Sequence, residues 1–133
     1  MITQSSTGPG EKARTHVVLV EPDVLTRIAI ADYLRDCGYV VIEAHSAEDA
    51  IRVVESGLAV HVVFAEVDLP QMSGFDLARL LRARDPSIGI LLTHGPEGAA
   101  EKAGDLCDEG PLPKPYHHED VVRRIRLLRE GKG

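Results

Sequence analysis

The sequence is short of the residues that several kinds of chemistry require. Only two of its 133 residues are cysteine, Cys37 and Cys107. They lack C-x-x-C spacing, so both are read as small packing residues in a reduced, cytoplasmic setting. No apolar run approaches the roughly 18 residues of a membrane span, and the N-terminus lacks the charged-then-apolar order of a signal peptide. No membrane partner is expected. Basic charge is not in excess either: 15 Lys and Arg face 21 Asp and Glu, a net charge of -6. That balance argues against nucleic acid as a partner, despite the local Arg123-Arg124-Ile125-Arg126-Leu127-Leu128-Arg129 run. The six histidines show no metal-ligand spacing, and His117-His118 is read as a helix entrance. No Ser/His/Asp or Cys/His arrangement can be made, so neither a metal site nor a catalytic residue is assigned.

What remains describes an ordinary folded chain. With 44% hydrophobic and 27% charged residues, the composition is globular rather than disordered. A chain of this length forms one domain and buries about two thirds of the surface its unfolded form exposes, enough for a core without metal or disulfide. Residues 1–15 are rich in Ser, Thr, Gly and Pro, have no apolar periodicity, and read as a disordered leader.

From His16 a unit repeats. Val17-Val18-Leu19-Val20 is an apolar, mostly β-branched run suited to a strand covered on both faces, and it ends in acid at Glu21-Pro22-Asp23. Pro22 fits the first turn of a helix whose Ile30, Tyr33, Leu34 and Cys37 fall at inward spacing, with Gly38 as the stop. Tyr39 to Ala44 reads as a second strand, and Ser46 caps a helix with Ala47, Ala50, Ile51 and Val54 on its stripe. Val60 to Ala65 is a third strand running into Glu66. Ser73-Gly74 opens a helix with Leu77, Ala78 and Leu81 inward, and Asp85-Pro86 closes it. Ile88 to Thr93 makes a fourth strand. The glycines from Gly95 to Gly110 leave room for only a short helix near Glu97 to Ala103. Gly110 to Pro113 suits a short edge strand, and Val121, Val122, Ile125 and Leu128 make the last helix amphipathic.

Five strand-helix repeats predict an α/β fold: a doubly wound, five-stranded parallel sheet with right-handed crossovers and helices on both faces. The flavodoxin-like order 2-1-3-4-5 places strands one and three together at the switch point, where ligands collect at the carboxyl ends of strands. That order brings Glu21, Glu66, Thr93 and Lys114 to one rim.

At these residues the chain resembles the receiver domains of two-component response regulators. Four anchors carry the likeness: the acid after Val17-Val18-Leu19-Val20, the loop Glu66-Val67-Asp68-Leu69-Pro70-Gln71-Met72-Ser73-Gly74, Leu91-Leu92-Thr93, and Lys114-Pro115-Tyr116. The resemblance implies a receiver domain over residues 16–130, with 131–133 as a tail, either standing alone or excised from a longer regulator. In that family a strand-three aspartate takes a phosphoryl group from a histidine kinase. An acidic pair holds a divalent metal, and Thr and Lys contact the transferred oxygens.

This chain departs from that pattern. Glu66 stands at the phosphoacceptor position, Glu21 at the first acidic position, and Pro22 at the second, where the family has its more important metal ligand. Mg²⁺ demands a near-octahedral oxygen set at about 2.0–2.1 Å, so its binding is expected to be weak or absent, and no other cofactor is expected. Asp23 is either a substitute ligand or a helix N-terminal acid, and Asp68 is a loop residue. The aromatic switch position is Pro111, which cannot swing between rotamers, and the residue after Thr93, usually small, is His94. Glu66, one methylene longer than Asp, is expected to reach Lys114 as a standing ion pair. The resulting expectation is a non-enzymatic, protein-binding signalling module without normal Asp phosphorylation. Its partner would be a histidine kinase or an output protein, and the arginine-rich last helix leaves open a homodimer through the last two helices. Two readings compete: a receiver that still accepts phosphate weakly, and a flavodoxin-like ligand binder. The acidic, glycine-free Glu21-Pro22-Asp23 loop argues against the second.

Overall fold

The computed structural model describes residues 14–94, 112–113 and 116–132. Strand β1 is His16–Val20, β2 Val40–Ala44, β3 Val62–Glu66, β4 Gly89–His94 and β5 Leu112–Pro113; the helices are α1 Val24–Asp36, α2 Ala47–Glu55, α3 Gly74–Arg84 and α4 His118–Lys132. All pairings are parallel, in the order β2-β1-β3-β4-β5. The four longer strands carry the sheet; β5 adds two residues beside Thr93 and His94. This is the expected α/β flavodoxin-like arrangement.

Alternate strand residues face opposite layers, because successive side chains point to opposite sides of a strand. Val18, Val20, Val63, Ala65, Ile90 and Leu92 pack against α2 and α3 through Ala47, Ala50, Leu77, Ala78 and Leu81. Val17, Leu19, Val62, Phe64 and Leu91 pack against α1 and α4 through Ile30, Ala31, Leu34, Val121, Ile125 and Leu128. Helices therefore cover both faces, which is why the strands read as unbroken apolar runs.

Several boundaries differ from the sequence reading. Helix α1 begins at Val24 with Asp23 as its cap, so Pro22 lies before the helix rather than in its first turn. The side chain of Asp23 accepts from the Thr26 amide, one of the first-turn donors that has no partner within the helix. Cys37 is the exposed C-cap, not an inward residue, and Ala31 takes the buried place. Thr15, assigned to the leader, is buried, and its carbonyl accepts from the Val40 amide at 3.0 Å. Helix α4 runs to Lys132, into the segment read as a tail. Cys107, the short helix near Glu97 to Ala103 and most of the leader lie outside the described residues. Ser46 and Ser73 do cap α2 and α3, their hydroxyls each accepting from the amide three residues on, at 3.1 Å.

At the open edge of the sheet, Arg27 and Arg35 of α1 both reach Glu43 of β2 at 3.2 Å, and Arg35 also donates to the Val41 carbonyl at 2.9 Å.

Backbone hydrogen bonds close the turn from β3 to α3. Leu69 N–H returns to Val67 O and Met72 N–H to Pro70 O, at 3.1 and 2.7 Å. Gln71, central to the second, has φ of 72°, the sign of a γ-turn that costs a non-glycine residue some strain. Gly74 N–H then donates to Val67 O at 2.8 Å. A Cβ on Gly74 would stand 2.3 Å from the Glu66 carbonyl oxygen and 2.9 Å from Val67 Cα. Both neighbours are backbone, so neither can turn away. Gly74→Ala is expected to destabilise the fold by about 1–3 kcal/mol, read as a lowered midpoint in urea unfolding.

Candidate functional site

The carboxyl ends of β1, β3 and β4 meet at one rim. Glu66 closes β3 and is in register with Thr93 of β4, while Val20 is in register with Ala65. The ladder continues past the strands: Glu21 N–H donates to Ala44 O at 3.0 Å and Val67 N–H to Thr93 O at 2.8 Å. By two-residue alternation Glu21, Glu66 and Thr93 extend the rows of Leu19, Phe64 and Leu91, so all three belong to the α1 and α4 face. Glu21 and Thr93 are buried and Glu66 is half-buried. The structure thus brings together three of the residues singled out in the sequence. Lys114 and Pro111 lie outside the described residues, as does the expected Glu66–Lys114 pair.

Asp23 is committed to the helix. Its Oδ2 accepts from the Thr26 amide at 2.9 Å, and hydrogen bonds from Thr26, side chain first and backbone second, hold its carboxyl below the ordinary 3.8. Glu21 is drawn to the same loop: its Oε2 accepts from the Asp23 amide at 2.9 Å. Between them Pro22 contributes no side-chain oxygen. Asp68 is exposed. Among the described residues no three His, Cys, Asp or Glu side chains gather as a metal-holding group.

Two further residues belong to the rim. Arg27 donates to the Glu21 carbonyl at 2.7 Å while its Nε holds Glu43; its position four residues after Asp23, on the first turn of α1, was the available signal. Tyr116 is half-buried and meets Phe64 edge-on, ring centroids 6.2 Å apart. Burial, then the charges of Glu21 and Glu66, push its phenol up to about 12. At neutral pH it is a hydroxyl donor beside two acids. The sequence placed Tyr116 in a family motif but gave it no part in the site. His118 packs its ring on Tyr33, centroids 4.9 Å apart, at the start of α4, as befits a helix entrance.

If Asp23 acts as a cap, Asp23→Asn, which keeps an acceptor, is expected to melt close to the parent chain and Asp23→Ala several degrees lower. The contribution of the carboxylate is complete above its ordinary 3.8 and is lost as pH falls through its lower folded value, so the difference between Asp and Ala closes in acid. Thermal melts at neutral and acidic pH read both effects.

Comparison with known proteins matches residues 17–126 to the response regulator receiver domain. A cyclic di-GMP phosphodiesterase of Thermotoga maritima is 39% identical over 82% of this chain, which spans 29% of that protein. Response regulator MprA of Mycobacterium ulcerans is 29% identical over 87% of this chain, which spans 51% of it. The chain therefore covers only about half or less of these curated relatives. Among solved structures, a response regulator receiver protein from Sinorhizobium medicae superposes with a TM-score of 0.81 at 23% identity, covering 90% of this chain and 98% of its own. One from Clostridium thermocellum gives 0.80 at 21%, covering 89% and 96%; at such identities the likeness speaks for the fold. Fold, rim and a family match over most of the length agree: this chain belongs to the response regulator receiver domains of two-component signalling.

Proposed function

We propose that this receiver domain works as a protein-binding module whose output does not depend on an aspartyl phosphate. The observation that carries this reading is the make-up of the loop after β1: Pro22 offers no side-chain oxygen at the second acidic position, Asp23 turns its Oδ2 to the Thr26 amide, and Glu21 turns its Oε2 to the Asp23 amide. That donor set does not fit the near-octahedral oxygen shell that Mg²⁺ requires. Without the metal, an incoming phosphoryl group would lack the cation that neutralises its charge during transfer. Glu66 stands at the position where the family carries its reversible phosphoryl charge.

The surface beside the rim supports protein binding. Leu25, Val24 and Ile28 are 79%, 53% and 44% exposed on the outward side of α1, immediately after Asp23. Exposed apolar groups gathered on one helix end, next to a functional rim, are the usual mark of a contact surface. The partner is a signalling protein, a histidine kinase or an output protein.

Retained phosphotransfer is the second reading, favoured by Thr93, which remains buried and in register with Glu66. Incubation with a small-molecule phosphodonor and Mg²⁺, followed by intact mass, decides between them. No mass gain is expected. A hydroxylamine-sensitive gain of one phosphoryl group, lost in Glu66→Gln, would overturn the proposal.

A further inference from the structure

The opposite end of the sheet holds an arrangement that the rim does not use. Just before the first β1–β3 register pair, Val17 with Val62, His61 and His16 are joined twice. His61 N–H donates to the His16 carbonyl, and His16 N–H donates to Nδ1 of the His61 ring, both at 2.9 Å. The His61 carbonyl in turn accepts from Gly89 N–H at 2.9 Å. One residue thus ties β1, β3 and β4 together where they begin. An imidazole nitrogen, rather than a carbonyl, takes the first amide of β1. Only a neutral ring carrying its proton on Nε2 can accept there, since imidazolium donates from both nitrogens.

From this geometry we infer that His61 is an acid-sensitive clasp on the N-terminal end of the sheet, closed by the neutral ring and released when the ring takes up a proton. Release would turn the 2.9 Å bond into two donors facing each other. The groups around the ring sharpen the effect. His16 on β1 lies with its ring centroid 5.3 Å away, and Arg129 projects from α4. Both are basic, and among the described residues neither they nor His61 form an ion pair with a carboxylate. Burial first, then Arg129, then His16 hold His61 below its ordinary 6.5.

A group depressed in the folded state contributes stability that is complete above its unfolded value and is lost as pH falls toward its folded one. The clasp is therefore shut above 6.5 and loosens below it. The element released is the start of β1, whose first amide loses its acceptor. The Glu66 rim, at the other end of the strands, is left intact.

The test is NMR on the full chain, comparing amide exchange at His16, corrected for intrinsic rate, between about pH 7.5 and about pH 5.5. Uptake of one proton on opening predicts that protection falls by up to about tenfold per pH unit below 6.5. The His16 amide shift is expected to move with the same midpoint as the His61 ring. His61→Asn, whose carboxamide oxygen accepts without titrating, is expected to abolish the fall, and His16→Gln to keep it. A His61 midpoint at or above 6.5, or an equal fall in His61→Asn, overturns the inference. Should the Asn variant not fold, differing midpoints for the His61 ring and the His16 amide in the parent chain overturn it equally.

Discussion

Helices cover this sheet on both faces, and that constraint decides where polarity can stand. A strand buried on both sides has no face to offer water, so a charged side chain within it would lose its hydration without a partner. Among the described residues the buried polar side chains are Thr15, Glu21 and Thr93, and all three lie where strands begin or end. Concentration of acids at the carboxyl rim follows from covering the sheet before any function is considered. The site needs only a turn that brings the next helix back across the strand end, and Gly74 allows that turn by its close approach to the Glu66 carbonyl.

The same constraint explains how much could be read from the sequence. Layers, strand order and the meeting of Glu21, Glu66 and Thr93 were legible because unbroken apolar runs, punctuated by acid, glycine and serine, mark buried parallel strands and helix caps. Boundaries were less so. Pro22 suits a helix start by its fixed φ, yet Asp23 captured the start with its carboxylate, and the competition between the two is decided by where the chain leaves the sheet. Cys37 follows the inward spacing of α1 but falls where the helix has already ended. Tyr116 and Arg27 escaped because their importance comes from neighbours distant in sequence: Phe64 and Glu66 for one, Glu43 for the other.

Rim and base of the sheet differ in chemical character. At the rim, acids gather around a phenol and a guanidinium. At the base, two imidazoles and Arg129 gather with no paired carboxylate among the described residues. Basic groups at one end of the sheet and acidic groups at the other mean that protonation of His61 would act on the base and leave the rim in place. The α1 helix spans both environments, with its capped, apolar start beside the rim and Arg35 in its last turn.

Arg35 has one more consequence. Strand β2 is an outer strand, and such an edge offers unpaired carbonyls to any other strand that drifts alongside. The guanidinium of Arg35 already occupies the Val41 carbonyl, and with Arg27 it fixes Glu43 along the same border. A foreign strand would have to evict a charged group and strand a carboxylate to join the sheet there. Along this border an incoming strand would meet a carbonyl that is already paired and a carboxylate that is already held, so edge-to-edge pairing there starts at a disadvantage.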